Sequence, residues 1–243
     1  MADQRQFLAF DIETAKILPD AAGDLLAHRP LGIACAAAYS SNTGRGRTWH
    51  GTMPLGMPAA QMSVEESAAL VASLEALVAE GYTLVTWNGL SFDFNVLAEE
   101  SKLIARCAAL ALAHVDMMFQ VLCSQGHFLS LAKAAAGMKL PGKLAGITGA
   151  QAPQMWKAGR YGEVLAYNLQ DVRVTAELAA AGEGAKELRW KTKNETTASM
   201  PLPAGWLTVR EALALPEPDT SWMSTKPPSR LTPLSWIPTE LRR

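Results

Sequence analysis

The sequence predicts an α/β fold, and two observations carry that expectation. Short apolar runs of strand length alternate with longer segments of helical period. The first apolar run also ends on a pair of acids, where a buried strand would reach the edge of a sheet. The chain has 243 residues, enough for one substantial domain with residues left over.

Phe7-Leu8-Ala9-Phe10-Asp11-Ile12-Glu13 is the first strand, apolar up to its acids. Leu31 to Tyr39 is a second apolar run. A turn region at Gly44-Arg45-Gly46-Arg47 leads to a third strand at Thr48-Trp49-His50. These three strands are expected to form an antiparallel meander.

Ser63-Val64-Glu65-Glu66 has the S-x-x-E pattern of a capping box. Val64, Val71, Leu74 and Val78 then recur at helical spacing, widened by Leu70 and Leu77, and Gly81 stands where that helix would stop. Tyr82 to Thr86 reads as a short buried strand left through Trp87-Asn88-Gly89, and the chain is helical in pattern from Asp93. Val115 ends a further apolar run, and Asp116 is placed to cap a helix ending near Gly126. Leu129 to Ala136 reads as a short helix, Met138 to Gly149 as a Gly- and Lys-containing loop, and Tyr161 to Ala181 as the last strong helix.

From Gly182 the composition changes. Eight prolines between Pro201 and Pro238 punctuate the remainder, and four of the seven tryptophans (Trp190, Trp206, Trp222, Trp236) fall there. Two segments are therefore expected: a domain over 1–182, and an irregular Pro/Trp-rich extension over 183–243 packed on it through aromatic side chains.

Net charge is −1, so no bulk basicity advertises a nucleic-acid partner, although a local groove needs none. Cys35, Cys107 and Cys123 have no paired spacing, which argues against a disulfide framework or a zinc cluster and for buried small apolar groups. Charges among the first residues and the lack of a spanning apolar stretch lead to the expectation of a soluble, cytoplasmic protein without a membrane partner.

Three short segments can carry chemistry: Phe10-Asp11-Ile12-Glu13-Thr14, Asn88-Gly89-Leu90-Ser91-Phe92-Asp93 and Tyr167-Asn168-Leu169-Gln170-Asp171. Residues two apart on a strand point to one face, so Asp11 and Glu13 would stand side by side. Carboxylates that close repel unless they share a proton or a cation. Oxygen ligands suit hard ions such as Mg²⁺ or Mn²⁺. Tyr167 and Asp171 are one turn apart on a helix face.

The pattern D-x-E, then N-x-x-x-x-D, then Y-x-x-x-D resembles the three exonuclease motifs of the DEDD superfamily, with the tyrosine of its DEDDy branch. That branch includes proofreading domains of family-A and family-B DNA polymerases and ribonuclease D-like enzymes. The nearest likeness is to stand-alone exonucleases related to the family-B proofreading domain, over about residues 5–182.

The resemblance implies a ribonuclease H-like fold, with a mixed five-stranded sheet of three antiparallel strands and then two parallel ones, flanked by helices. It implies a 3′–5′ exonuclease that releases nucleoside 5′-monophosphates with two divalent ions, Mg²⁺ or Mn²⁺. Asp11 would bridge the ions, Glu13 and Asp171 would complete one site, Asp93 would hold the second, and Tyr167 would hydrogen-bond the attacking water. Thr14, Asn88, Phe92 and Lys143 are the expected substrate contacts. The partner would be a nucleic-acid 3′ end, with single-stranded DNA favoured over RNA.

Bland readings stand beside these. Asp93 alone reads as a helix N-cap, Asp116 as a cap, Phe92 as core, His114 as structural, and Lys139 and Lys143 as solvated loop residues. His127 is a minor candidate for substrate contact. Arg189, Lys191 and Lys193 around Trp190 read either as a phosphate-tracking ridge with a stacking platform or as solvated charges about a packed ring. Pro218-Asp219-Thr220-Ser221-Trp222-Met223 reads as a fixed turn. A catalytically silent nucleic-acid-binding or scaffold module of the same fold is the rival function, and a phosphoesterase of small nucleotides is another. The extension is also a candidate docking segment for a polymerase or another protein.

Overall fold

The computed structural model describes residues 5–19, 23–142 and 148–242. In chain order the elements are β1 (Gln6–Thr14), β2 (Ile33–Ser40), β3 (Arg45–His50), α1 (Val64–Ala79), β4 (Tyr82–Thr86), α2 (Asp93–Ser101), α3 (Ile104–Ala113), β5 (Val115–Asp116), α4 (Met117–Gln125), α5 (Leu131–Gly137), α6 (Ala152–Lys157), α7 (Tyr161–Ala185), β6 (Glu187–Lys191), β7 (Thr197–Pro201) and α8 (Val209–Leu213).

The main sheet has the order β3-β2-β1-β4-β5. β1 pairs antiparallel with β2, and β2 with β3; β4 runs parallel to β1, and β5 to β4. This is the expected mixed sheet of three antiparallel and two parallel strands, with helices on both faces.

β1 sits at the centre, and its alternation divides the core. Leu8, Phe10 and Ile12 enter a cluster with α1, α2 and α3, where the Phe10 and Phe94 rings pack with centroids 5.7 Å apart. Phe7 and Ala9 point the other way, into a cluster with α5, α7 and the β6–β7 hairpin. Asp11 and Glu13 have the parity of Phe7 and Ala9, so the apolar stripe under α7 turns acidic at its end.

The capping box forms as expected: the Ser63 side chain accepts from Glu66 N–H, and Glu66 reaches back to Ser63 N–H. The apolar stripe of α1 is narrower than its sequence suggests. Leu70, Val71 and Leu74 are buried, whereas Val64 and Val78 are exposed.

Four other expectations need correction. β3 begins at Arg45, inside the expected turn region. It is an edge strand with mostly exposed side chains. Its Gly and Arg residues suit an unpaired edge and hide its strand character. The helical pattern from Asp93 is two helices, broken at Lys102, which is left-handed with φ 60°. The preceding Ser101 hydroxyl donates to the Leu97 carbonyl at 2.6 Å, a local bond that competes with helix continuation. The short α6, with Trp156 buried against Tyr161, has no counterpart in the sequence reading. Finally, the extension is irregular only in its later part. β6 and β7 form an antiparallel hairpin, and α8 carries its own capping box.

Trp190 and Trp206 are buried in the α7-side cluster, so Trp190 offers no stacking face, and Arg189 and Lys193 are exposed around a packed ring. All three cysteines are free and buried. Among the described residues, no helix is long and apolar enough to cross a membrane.

His114 is fully buried beneath the second motif. Its Nδ1 lies 2.7 Å from the Ala111 carbonyl, which can only accept, so the proton is on Nδ1. Nε2 then accepts from the Thr86 hydroxyl at 3.0 Å. Burial lowers the pKa of this ring from 6.5 to about 4. The unfolded chain therefore takes up a proton in a range where the folded protein does not, and stability falls as pH falls through that window. We expect unfolding free energy to drop by about 2 kcal/mol between pH 7 and pH 5 from this residue. Urea titrations check the drop, and ¹⁵N shifts should show a neutral His114 ring at pH 5; a protonated ring there would contradict it.

Candidate active site

Each acidic side chain reaches one cleft for a local reason. Asp11 and Glu13 come from the end of β1, where the register with β2 shifts between Glu13 and Thr14. The long α7 lies across β1 and β2, with Val164, Tyr167, Asn168, Asp171, Val172 and Thr175 on its buried stripe. That stripe brings Tyr167, Asn168 and Asp171 down onto the acidic end of β1. Oxygens of Asp11, Glu13 and Asp171 lie within 4.8 Å of one another. Glu13, Asp93, Tyr167 and Asp171 are all buried, while Asp11 is half-buried.

Asp93 faces the same cleft from the start of α2. It is not the N-cap; Phe92 holds that position and makes no side-chain cap bond. Asp93 Oδ1 instead accepts the Ile12 N–H at 2.9 Å, which ties the second motif to the strand between the first two acids. Asp93 stands outside the tight trio of acids.

Thr14, Asn88 and Phe92 line the cleft, together with Ile12, Leu25, Trp87 and Gly149. Lys143 lies outside the described residues. His127 does not line the cleft. Its ring packs edge-on against Trp190 and Trp222 instead.

The loop carrying the second motif is strongly constrained. Asn88 is left-handed at φ 76°, a conformation asparagine tolerates better than most residues. A side chain on Gly89 would overlap Thr86, whose hydroxyl accepts the Gly89 N–H at 3.0 Å. Asp116 is buried behind this loop. Its carboxylate accepts from Asn88 N–H (3.1 Å), Leu90 N–H (2.9 Å) and Phe119 N–H (3.0 Å). Burial pushes its carboxyl above the ordinary range, against the pull of these donors. Asp116 thus caps α4 as expected and also fixes the turn leading to Asp93. From the far side, the Trp236 indole N–H donates to the Leu90 carbonyl at 2.7 Å. A single backbone unit is therefore held by β5 and by the C-terminal extension.

Sequence reasoning missed three contributors. Asn168 donates from Nδ2 to Asp11 at 2.6 Å and orients that carboxylate. Its place one residue after Tyr167 was a usable signal, since i and i+3 share a face with Asp171. Asp116 was read only as a cap, because its contacts with residues 88–90 are non-local. Trp236 was expected only to pack on the domain, and nothing in the sequence marked its bond to the Leu90 carbonyl.

The Tyr167 hydroxyl is hydrogen-bonded to Asp171, and burial, reinforced by Asp171, Glu13 and Asp11, raises its pKa far above the usual phenol value. It is therefore a protonated donor. Cys35, opposite Glu13 in the sheet, is likewise held as a thiol, mainly by burial and then by the neighbouring acids.

A family model for the RNase_H superfamily matches residues 58–181, just over half of the chain. The chain belongs to the RNase H superfamily. The matched segment carries Asp93, Tyr167 and Asp171. Among curated proteins, none matches the sequence. Among solved structures, this RNase H superfamily chain is similar to a family B DNA polymerase from the hyperthermophilic archaeon Pyrobaculum calidifontis, at 18% identity and a TM-score of 0.49. The similarity covers 74% of this chain and 25% of the polymerase, so the chain spans about a quarter of that protein's length.

Proposed function

We propose that this protein is a two-metal-ion 3′–5′ exonuclease of the DEDDy kind, which removes nucleoside 5′-monophosphates from nucleic-acid ends. The observation that carries the reading is the convergence of Asp11, Glu13 and Asp171 within 4.8 Å, in a cleft that Asp93 and Tyr167 also line.

The donor set fits hard divalent ions. Three carboxylates packed this tightly repel one another unless a cation or proton is shared, and all-oxygen donors select Mg²⁺ or Mn²⁺. Asp11, Glu13 and Asp171 would hold one ion, and Asp11 and Asp93 would hold the second. Bound there, the ions lower the pKa of a water and neutralise charge on the phosphate.

The protein's own residues do the positioning. Asn168 keeps the Asp11 carboxylate aimed into the cleft. The Ile12 N–H does the same for Asp93. Tyr167 remains a phenol and hydrogen-bonds the attacking water from beside Asp171. Thr14, Asn88 and Phe92, on the cleft wall, contact the terminal nucleotide. Residues 1–182 form the nuclease domain, and 183–243 brace it through Trp236. Single-stranded DNA is the favoured substrate.

A 5′-labelled oligonucleotide incubated with Mg²⁺ or Mn²⁺ should give a ladder shortening by one nucleotide from the 3′ end, and EDTA should abolish it. Binding without any shortening would favour the silent module instead. We expect Tyr167→Phe to lower kcat by about tenfold to a hundredfold with little change in KM. Steady-state kinetics on the same oligonucleotide check this, and an unchanged kcat would remove Tyr167 from water positioning.

A further inference from the structure

The segment Pro218-Asp219-Thr220-Ser221-Trp222-Met223 takes no part in the cleft, yet it is built as a rigid mount for a bare aromatic ring. Asp219 Oδ1 accepts the Ser221 N–H at 2.9 Å, and the Thr220 carbonyl accepts the Met223 N–H at 2.9 Å. The Thr220 side chain is seated over Gly126, where a Cβ would overlap it. The Trp222 indole N–H donates to the Asp219 carbonyl at 3.1 Å, inside the same turn. The His127 ring stands edge-on to it, with centroids 6.1 Å apart and planes at 82°.

With orientation and N–H both fixed internally, Trp222 remains 66% exposed, and Phe128, next to His127, is 51% exposed. Leaving two large rings in water is unfavourable, and neither ring carries a free polar group that needs solvent. A preoriented aromatic of this kind loses little conformational entropy on stacking.

A short chain of contacts links Phe128 to the acidic cleft. Phe128 precedes Leu129, whose carbonyl accepts the Trp87 indole N–H at 3.0 Å, and Trp87 lines the cleft. We infer that Trp222 and Phe128 form a stacking ledge for unpaired bases of the strand whose 3′ end occupies the cleft. This rests on the reading of the cleft as a nucleic-acid site. Stacking on such a ledge is tolerant of sequence, because every base presents a π-face.

The test is the affinity of the full-length protein for fluorescein-labelled single-stranded DNA of 4 and 16 nucleotides, read by anisotropy. Ca²⁺ replaces Mg²⁺, and phosphorothioate linkages protect the 3′ end. Trp222→Ala should weaken binding of the 16-mer by about tenfold, with a change of less than about twofold for the 4-mer. Phe128→Ala should act in the same direction, and Trp222→Phe should recover most of the loss. The slope of log affinity against log salt should not change, since no phosphate contact is removed. Because Trp222 is largely exposed, circular dichroism should show an intact fold.

Equal 16-mer affinity for wild type and Trp222→Ala would overturn the ledge while leaving the cleft reading standing. An equal loss at both lengths would also overturn it, placing the effect in the cleft. If the wild type binds neither strand, the cleft reading itself fails. If Trp222→Ala binds both strands normally but abolishes association with a protein partner, the ledge is a protein interface and the inference is wrong.

Discussion

Asp171→Asn is expected to slow strand trimming by more than about a thousandfold, equivalent to roughly 4 kcal/mol of transition-state stabilisation. Asp11→Ala should do at least as much, because it also removes the acceptor of the Asn168 amide. The two substitutions differ in what they do to the metal-free fold. Asp171→Asn keeps side-chain shape and the acceptor for Tyr167, while removing one of three acidic groups whose oxygens lie within 4.8 Å. Like charges in a partly buried cluster destabilise the folded state, so this variant should melt no lower than wild type without metal. The pairing of lost activity with retained or raised stability is the diagnostic outcome. Trimming kinetics and thermal melts in EDTA check both halves, and near-normal trimming by either variant would remove the acids from the chemistry.

Asp116→Ala should have the largest effect on stability. The side chain accepts three backbone N–H groups at 2.9–3.1 Å in a fully buried setting. Each buried donor left unsatisfied costs about 1–3 kcal/mol, although partial relaxation and water entry reduce the sum. We expect a loss of about 4 kcal/mol in urea unfolding. Asp116→Asn should lose less, about 2 kcal/mol, because its amide turns one acceptor into a donor facing an N–H. Folded Asp116→Asn should also trim more slowly, through kcat, because the turn before Asp93 loses its anchor. An Asp116→Asn protein as stable and as active as wild type would show that the turn holds itself.

The sheet was legible because its signals are local. β1, β4 and α7 each declare themselves by an unbroken apolar run or a helical stripe, and the Ser63–Glu66 box marks the start of α1. The acids were legible for the same reason: Asp11 and Glu13 differ from the apolar strand around them. What escaped depends on partners far along the chain. β3 owes its length to pairing with β2, since Arg45-Gly46-Arg47 has no strand character of its own. β6 alternates three charged residues with Leu188 and Trp190, too short a pattern to stand out without its pairing with β7 and the cover of α5. Asp116 and Trp236 act across separations of 26–28 and 146 residues, which no local pattern encodes, and Asn168 reaches Asp11 across 157 residues with only its i, i+3 relation to Asp171 as a local sign. Trp190 and Trp222 are both tryptophans in a Pro-punctuated stretch, yet one is buried and the other bare. Position in the hairpin decides the first, and the Asp219–Ser221 turn decides the second.

Manganese anomalous scattering tests the central claim most directly. Crystals of the wild-type protein soaked in Mn²⁺ should show two anomalous peaks about 3.5–4 Å apart. Asp11 should lie between them, Glu13 and Asp171 on one, and Asp93 beside the other. A single peak, or none within coordination distance of Asp11, would contradict the account.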